Sequence, residues 1–484
     1  YYAYQLDAGG SVLDEKQLYL NFINCLVYLP ELINEPCMVN LQIDPAYKIA
    51  CGLAKGKPRQ LLARDYYQLV DSPMIASPKL KHWEFQKHGV KFHVWFQGSH
   101  RLSKTKTIDA FKSFASEQIQ TMGQFPESDY HFLFQVPQFK LYHGVEHRNS
   151  TVIALGPGPE IHKSLYLEFL GVSSHELFHS WNIKRIRPKE LLPYNFNQEV
   201  YFDTGFIAEG VTSYYGDLFL VRSGVIDHSQ YFKELNKLFK RHFENEGRHH
   251  ASLVESSRDL WIDGYGHGAP DKKVSIYTKG ALVSLMLDLL IRSLTLHHKS
   301  LDHAMRVLWL EFGDQKEGYT LKHFQNICEQ VAGQSLATFF DDHIQGMVPL
   351  EKQLKSLLHQ VGCHLKTHPS KQLSKRHFGF RVQMRQGQLQ VVQILPASPA
   401  YQKLSLEDVI VSINGKKPTS KLNSQIKLGY PLRLELLRQG RRVRLNLLPS
   451  GEQYFNQYRI EKIKQPTDSQ REGLQLWLGK QREK

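Results

Sequence analysis

The pattern of apolar and polar residues changes twice along the chain and divides it into regions of different texture. Residues 91–98 and 130–136 are runs of aromatic and β-branched residues bounded by glycine or proline, which is typical of β-strands. Between them, the segment from Ser103 to Gln118 is predicted to be helical. We therefore expect a β-rich N-terminal domain over residues 1–150.

The middle of the chain shows helical spacing instead. After residue 206, apolar side chains recur three or four positions apart, at Ile207, Val211, Tyr214, Leu218 and Val221. A buried helix is predicted from Ala281 to Leu294, and amphipathic helices from Leu301 to Gly346. These patterns predict a mainly α-helical domain over residues 151–360.

From about Gly362 the pattern changes to short alternating strands joined by turns. Two strand pairs are predicted, at 378–382 with 389–395 and at 432–436 with 443–447. They indicate a small β domain over residues 361–450. A C-terminal tail, residues 451–484, follows, and we expect its Trp477 and Leu478 to pack back onto the protein.

The composition is that of a globular protein. Hydrophobic residues make up 41% of the 484 positions and aromatic residues 11%, which suits roughly two to four folded domains. Together with the patterns above, this predicts a multidomain α+β protein. No apolar run reaches the about 18 residues that a membrane-spanning helix needs, so no membrane span is expected.

Charge and cysteine usage exclude further classes. The net charge is +14, but lysines and arginines are scattered, so we expect a generally basic surface and no nucleic-acid function. The five cysteines are odd in number and form no C-x-x-C pair, which argues against a disulfide framework or a cysteine metal cluster. Reduced thiols favour a cytoplasmic location, although a targeting segment could have been removed from before Tyr1.

The strongest chemical signal is His-Glu-Leu-Phe-His at residues 175–179. On a helix, residues four apart share one face, so His175 and His179 can bind one metal ion while Glu176 reaches a water on it. We place this motif on a helix from Leu165 to Arg187 that Pro188 stops. Its last turn would then carry Lys184, Arg185 and Arg187, where cations are favourable. With 24 histidines in the chain, the motif alone could also be chance.

A third metal ligand is needed, and Glu209 is the candidate. It lies within the otherwise apolar helical segment 206–220, where a carboxylate is costly unless it is paired or binds a metal. The alternative is an exposed glutamate at the start of a helix. We favour the ligand interpretation.

With these residues, the chain resembles the gluzincins, peptidases that use two histidines and a glutamate from a following helix. More closely, it resembles the glycyl aminopeptidase family, whose members carry a C-terminal PDZ domain. Three stretches support this: residues 175–188, beginning with the H-E-x-x-H motif; Glu-Gly-Val-Thr-Ser-Tyr-Tyr at 209–215; and Tyr-Thr-Lys-Gly at 277–280. Asp71-Ser-Pro73 also matches a family stretch, without an assigned role.

The resemblance implies a β-sandwich-like N-terminal domain and a thermolysin-like zincin catalytic domain that binds Zn²⁺. It also implies a substrate site. In many gluzincin aminopeptidases a Gly-x-x-Glu strand binds the free α-amino group of the peptide, and Gly144 with Glu146 is the nearest match here, one residue shorter. The alternative for Glu146 is a turn residue paired with Arg148.

Tyr277 is the candidate that would stabilise the oxyanion. In related aminopeptidases a tyrosine near this point donates a hydrogen bond to the oxygen that becomes negative as the peptide bond is attacked. The alternative is a packed tyrosine whose hydroxyl is bound elsewhere.

The C-terminal β domain resembles a PDZ domain. Ala397-Ser-Pro-Ala400 and Leu406 to Gly415 match the usual S-P-A and G-D-x-I-x-x-I-N-G patterns, with Glu407 in place of the usual glycine. Phe378-Gly379-Phe380 lies where the carboxylate-binding loop would be. Such a domain captures the ends of peptide chains; the alternative is that it only packs on the catalytic domain, since the segment after Lys417 is weakly helical.

These observations predict a zinc-dependent aminopeptidase that removes N-terminal residues, glycine or other small residues by family resemblance, from peptides with a free N-terminus. Two alternatives stay open. One is a zinc endopeptidase of the same chemistry, and the other is a catalytically weak scaffold that binds peptides through the PDZ-like domain.

Overall fold

The computed structural model describes residues 1–263, 269–419 and 422–480; the last four residues of the predicted tail lie outside this part. The N-terminal region forms two small sheets of antiparallel strands, in the orders β1-β2-β7-β4 and β3-β6-β5. Its elements are β1 (Val12–Leu13), β2 (Leu18–Leu20), β3 (Cys37–Asn40), β4 (Lys48–Cys51), β5 (Ala54–Lys55), β6 (Gln60–Ala63), α1 (Tyr66–Val70) and β7 (Met74–Ser77).

A mixed five-stranded sheet follows, in the order β11-β12-β10-β9-β8. The three central strands run parallel, and the two outer strands are antiparallel to their neighbours. Its elements, with the helix that covers one face, are β8 (Lys81–Lys87), β9 (Val90–Gly98), α2 (Lys104–Met122), β10 (Asp129–Val136), β11 (Leu141–Glu146) and β12 (Ser150–Gly156).

The two faces of this sheet meet different neighbours. Phe92 and Phe96 on β9 pack in one continuous core with α2 and the helical region. Trp95 on the other face packs with Leu133 and with Tyr19 and Ile75 of the N-terminal region. The sheet is therefore the layer between the N-terminal strands and the helices.

The boundary predicted at residue 150 falls at the first residue of β12, inside this sheet. β12 pairs in parallel with β10 and antiparallel with β11, so residues 81–156 are one structural layer that shares its core with the helices. Strand patterns in the sequence are local and do not show which strands pair. A boundary at residue 150 would therefore separate β12 from the strands with which it pairs.

The middle region is helical. α8 is buried along most of its length because helices surround it on several sides. The helices are α3 (Tyr166–Phe178), α4 (Thr212–Arg222), α5 (His228–Phe243), α6 (Leu253–Arg258), α7 (Leu260–Asp263), α8 (Thr278–Leu294), α9 (Leu301–Phe312), α10 (Leu321–Ala332), α11 (Ala337–Phe340) and α12 (Glu351–Gln360). In the part of the chain that the structure describes, no helix has the length and apolarity to cross a bilayer.

The helix predicted from Leu165 to Arg187 is shorter than expected, because α3 ends at Phe178 and His179 caps it. Lys184, Arg185 and Arg187 are therefore not in its last turn, and the prediction that they stabilise the helix end was wrong. The side chain of Arg185 is fully buried and donates to Glu127 and to the carbonyl of Ser180. A buried guanidinium needs such partners, so these cations shape the loop after the helix.

The C-terminal region contains a five-stranded antiparallel sheet in the order β14-β15-β16-β17-β18 and a two-stranded ribbon, β13 with β19. The two predicted strand pairs are present as β14–β15 and β17–β18. The elements are β13 (Cys363–His368), α13 (Leu373–Phe378), β14 (Phe380–Arg385), β15 (Gln388–Ile394), β16 (Val409–Ile413), β17 (Leu432–Arg438), β18 (Arg441–Leu447), β19 (Gln457–Lys462) and α14 (Asp468–Leu478).

Among the contacts that attach this region to the helices, two involve almost fully buried polar partners. Lys375 of α13 pairs with both carboxylate oxygens of Glu244 at 3.0 Å, and both side chains are 5% exposed. Trp477 of α14 is fully buried, and its indole N–H donates to the Tyr214 hydroxyl at 3.0 Å, which in turn donates to Asp288 at 2.6 Å. Both Trp477 and Leu478 pack onto the protein as the sequence predicted.

Replacing this anchor should destabilise the protein strongly. Trp477→Ala removes a fully buried ring and leaves the Tyr214 hydroxyl without its donor, so we expect a loss of about 3–5 kcal/mol in the free energy of unfolding. Leu476→Ala on the same helix is the matched control, because Leu476 is 46% exposed and should cost less than about 1 kcal/mol. Chemical denaturation of both variants measures the difference; equal losses would contradict the anchoring role.

Candidate functional site

A cavity of about 680 Å³ lies between α3, α4, α5, the outer strand β11 and the start of α8. It brings together every site residue predicted from the sequence. These seven residues line it: Gly144, Glu146, His175, Glu176, His179, Glu209 and Tyr277.

The two histidines converge at the end of α3. Their Nε2 atoms are 3.0 Å apart, and Glu209 Oε2 lies 3.5 Å from each of them. The Nδ1 atom of His179 is 3.0 Å from the carbonyl oxygen of Asn182. A carbonyl only accepts, so Nδ1 carries a proton, and Nε2 is the nitrogen that points to His175 and Glu209 and would bind a cation in place of a second proton.

Glu209 lies in a π-helical turn, Ile207–Val211, that precedes α4. Such turns place one residue out of the ordinary helical register and are frequent at functional sites. Asn182 fixes this turn against α3, because its side-chain amide donates to the carbonyls of Ile207 and Ala208 and to the Thr212 hydroxyl, at 2.8–3.2 Å. The segment that follows the second histidine therefore holds the third donor in place.

Electrostatics at the site favour a positive charge. Burial opposes a proton on His179, but the carboxylates of Glu146 and Glu209 outweigh it and raise the pKa of His179 to about 10. Burial likewise opposes ionisation of Glu209, yet the imidazoles of His179 and His175 lower its pKa. Buried carboxylates need a compensating cation. Two imidazoles and one carboxylate converging in this way fit the donor set of a catalytic zinc site with an open position.

Glu176 faces the same cavity from the next position on α3. Its carboxylate lies against the backbone of Gly144, where an added Cβ would be 2.2 Å from Oε1. Glycine is thus required at 144 to leave room for the glutamate. Burial raises the pKa of the Glu176 carboxyl well above its usual range, with the carboxylates of Glu146 and Glu209 contributing. Within the described residues, Glu176 Oε2 has no hydrogen-bond partner although it is buried.

Glu146 is two residues after Gly144 on β11, so both point to the same face of the strand. The shorter spacing noted in the sequence therefore still aims the carboxylate at the cavity. Ligand atoms of Glu146, Glu176 and His179 all lie within 4.8 Å of one another. Arg148, the alternative partner of Glu146, pairs instead with Glu127 and Asp314.

Tyr277 immediately precedes α8 and lines the opposite wall of the cavity, 36% exposed. Its position depends on a close backbone contact. An added Cβ on Gly210 would be 2.5 Å from the Cα of Gly280, so the π-helical turn and the first turn of α8 touch without side chains between them. The glycines of the two family stretches thus bring Glu209 and Tyr277 to one site.

The structure gives Asp71 a role that the sequence did not. Its carboxylate is 3.1 Å from Nδ1 of His147, accepts the backbone N–H of Arg148 at 2.9 Å and pairs with Lys184 at 2.8 Å. Burial opposes ionisation, but Lys184 and His147 outweigh it and lower the pKa of Asp71. Asp71 caps α1, so it links the N-terminal region both to the turn after Glu146 and to the loop after α3. These partners are distant in sequence, and only the Asp-Ser-Pro stretch marked the position.

Comparisons with known proteins agree with this geometry. The M61 glycyl aminopeptidase family model matches residues 168–283, and the model of the M61 N-terminal domain matches residues 1–78. A search of curated protein sequences finds no match.

Among solved structures, an aminopeptidase N family protein from Idiomarina loihiensis is 27% identical and superimposes with a TM-score of 0.88, over 99% of this chain and 85% of that one. An M1 zinc metallopeptidase from Deinococcus radiodurans is 12% identical, with a TM-score of 0.41 over 63% of this chain and 62% of that one, too distant to support an inference.

The two family models and the full-length structural likeness confirm the resemblance that the motifs indicated: the chain is a metallopeptidase related to the M61 glycyl aminopeptidases.

Proposed function

We propose that the protein is a zinc-dependent aminopeptidase. One observation carries the proposal: a three-donor metal site, a buried glutamate beside it and a further carboxylate on the outer strand all face a single cavity. His175, His179 and Glu209 would hold the zinc. When bound, zinc supplies Lewis acidity that lowers the pKa of water and polarises the peptide carbonyl.

Glu176 is placed to act as the general base. Its raised pKa suits a group that accepts a proton from the attacking water and then passes it to the leaving amine. The missing Cβ at residue 144 leaves the carboxylate space against β11. Tyr277, on the opposite wall, would donate a hydrogen bond from its hydroxyl to the oxyanion that develops on the substrate carbonyl.

Glu146 would restrict cleavage to the N-terminal end of a peptide. A free α-amino group is an ammonium at neutral pH, and in a partly dry cavity it needs a carboxylate partner. An internal peptide bond offers no such charge at that point. The preference for N-terminal glycine or another small residue is proposed from the family resemblance, which the matched family model supports.

For the C-terminal sheet we propose a PDZ-like domain. The strand pairs, and the Phe378-Gly379-Phe380 segment that leads from α13 into the outer strand β14, support this. Between residue 417 and β17, the described residues form one 3-10 turn, Leu422–Gln425. A peptide-binding PDZ domain would have a longer helix here, along the side of its groove. The buried Lys375–Glu244 pair favours packing on the catalytic region as its main role.

Replacing the base should separate catalysis from metal binding. Glu176→Gln keeps the size of the side chain but cannot accept the proton, so kcat for glycyl-p-nitroanilide should fall by about 10²- to 10⁴-fold. Zinc content by atomic emission should stay at the wild-type value, since Glu176 is not a ligand. A variant that keeps its activity would contradict the assignment of the base.

Replacing the amino-group partner should affect binding of the free N-terminus. Glu146→Gln removes the carboxylate charge, and we expect KM for alanyl- and glycyl-p-nitroanilide to rise about tenfold or more. Glu168→Gln is the matched control, because Glu168 lines the same cavity but pairs with Lys237. If wild-type protein cleaves N-acetylated peptides as well as free ones, the endopeptidase alternative is correct instead.

Asp71→Asn tests how β11 is positioned. The change removes a charge that Lys184, His147 and the Arg148 amide all contact, so Glu146 should be held less firmly. KM should rise about threefold to tenfold with kcat and zinc content almost unchanged. Asp65→Asn at the other end of α1 is the control, since asparagine also caps helices. Equal effects of both variants would show only a general loss of stability.

A further inference from the structure

A second group of metal-binding side chains lies far from the cavity, on the face of the mixed sheet that Trp95 shares. His82 and Glu84 are two residues apart on β8, so both point to this face. His93 on the antiparallel neighbour β9 is directly opposite Glu84. Three potential ligands from a single hairpin thus converge on one patch.

The distances resemble those of the catalytic donor set. His82 Nε2 and His93 Nδ1 are 3.0 Å apart, as are the two Nε2 atoms of His175 and His179. Glu84 Oε2 lies 4.0 Å from His93 Nδ1, compared with 3.5 Å for Glu209. All three ligand atoms lie within 4.8 Å of one another.

Aromatic stacking holds the two imidazoles in position. The His82 ring stacks on Trp95 with ring centroids 3.8 Å apart, and the His93 ring stacks on His131 at 4.4 Å. Burial lowers the pKa of His82 and lowers that of His93 to about 4. Both rings are therefore neutral at physiological pH, and neutral imidazole is the form that binds a metal.

His131 lies close by but is not available as a ligand. The Trp95 indole N–H donates to its Nδ1 at 3.2 Å, which leaves the ring proton on Nε2, 2.8 Å from Asp129. Both nitrogens are thus occupied. His131, held by Asp129 and Trp95, instead supports the His93 ring by stacking against it.

Glu84 is the adaptable member of the group. It pairs with Lys91 at 3.1 Å, and both side chains are about half exposed. Exposed ion pairs contribute roughly 0–1 kcal/mol, so Glu84 can exchange this partner for a divalent cation at little cost. The open side toward solvent leaves room for water ligands.

We propose that His82, Glu84 and His93 form a second metal site, which binds a divalent transition metal of the zinc class and is separate from the catalytic centre. Two imidazoles and one carboxylate suit Zn²⁺, Co²⁺ and Ni²⁺ rather than Mg²⁺ or Ca²⁺, which prefer oxygen ligands alone. On binding, the ring that donates in the His82–His93 hydrogen bond would carry its proton on its other ring nitrogen instead, so that the two facing nitrogens both offer lone pairs to the cation and join β8 to β9.

The test is metal stoichiometry. Full-length protein is loaded with Zn²⁺, dialysed and measured by atomic emission, as wild type, Glu84→Gln, His82→Gln and His175→Ala. We expect about two equivalents for wild type and about one for each variant. Glu84→Gln changes a half-exposed side chain and should fold normally. His88→Asn, on the exposed turn of the same hairpin, is the control and should keep both equivalents.

Activity separates this site from the catalytic one. His82→Gln should lose one equivalent of zinc while its kcat/KM on glycyl-p-nitroanilide stays within about twofold of wild type, whereas His175→Ala should lose zinc and activity together. One equivalent in wild type, unchanged by His82→Gln and Glu84→Gln, would overturn the proposal. If His175→Ala kept all its zinc, the catalytic proposal would fail and the hairpin site would be judged by His82→Gln alone.

Discussion

The structure depends on gathering three carboxylates, the buried Glu176 and the partly buried Glu146 and Glu209, around two imidazoles in one cavity. Charges taken out of water cost several kcal/mol each unless an opposite charge accompanies them. The raised pKa of His179 shows that the protein draws positive charge to this point. Under the proposed function, a divalent cation and a substrate ammonium would meet the same demand at adjacent positions in the cavity.

Holding like charges this close requires rigid supports, and the chain supplies them mainly through its backbone. Asn182 joins the loop after α3 to the π-helical turn. Glycines at 144, 210 and 280 let strands and helices approach until an added Cβ would collide. Asp71 adds a link from the N-terminal region. Asn182, these glycines and Asp71 therefore control distances rather than chemistry.

Much of this arrangement could be predicted from the sequence because its spacing is local. His175 and His179 lie on one helical face wherever that helix forms, and the apolar context of Glu209 singled it out. The end of α3 was misjudged because three cations and a proline resemble a helix terminus, whereas the backbone turns earlier, with Arg185 donating to the Ser180 carbonyl and His179 donating to the Asn182 carbonyl. Parallel pairing joins β9 to β10 across 38 residues and β10 to β12 across 19 residues, which alternation alone does not reveal. The hairpin histidines were overlooked for a similar reason: ligands on two strands show no motif until the register is known.

The ion pair between Glu244 and Lys375 has a consequence for how this protein can vary among its relatives. Both side chains are almost fully buried. Without Glu244, Lys375 loses its carboxylate partner, and without Lys375, Glu244 keeps only the longer contact to Arg381 at 3.7 Å, so breaking the pair should cost about 3–5 kcal/mol. A neutral substitution on one side is tolerable only together with one on the other. Related chains should therefore keep both charges or lose both. The residues at this contact between the C-terminal region and the end of α5 should change together.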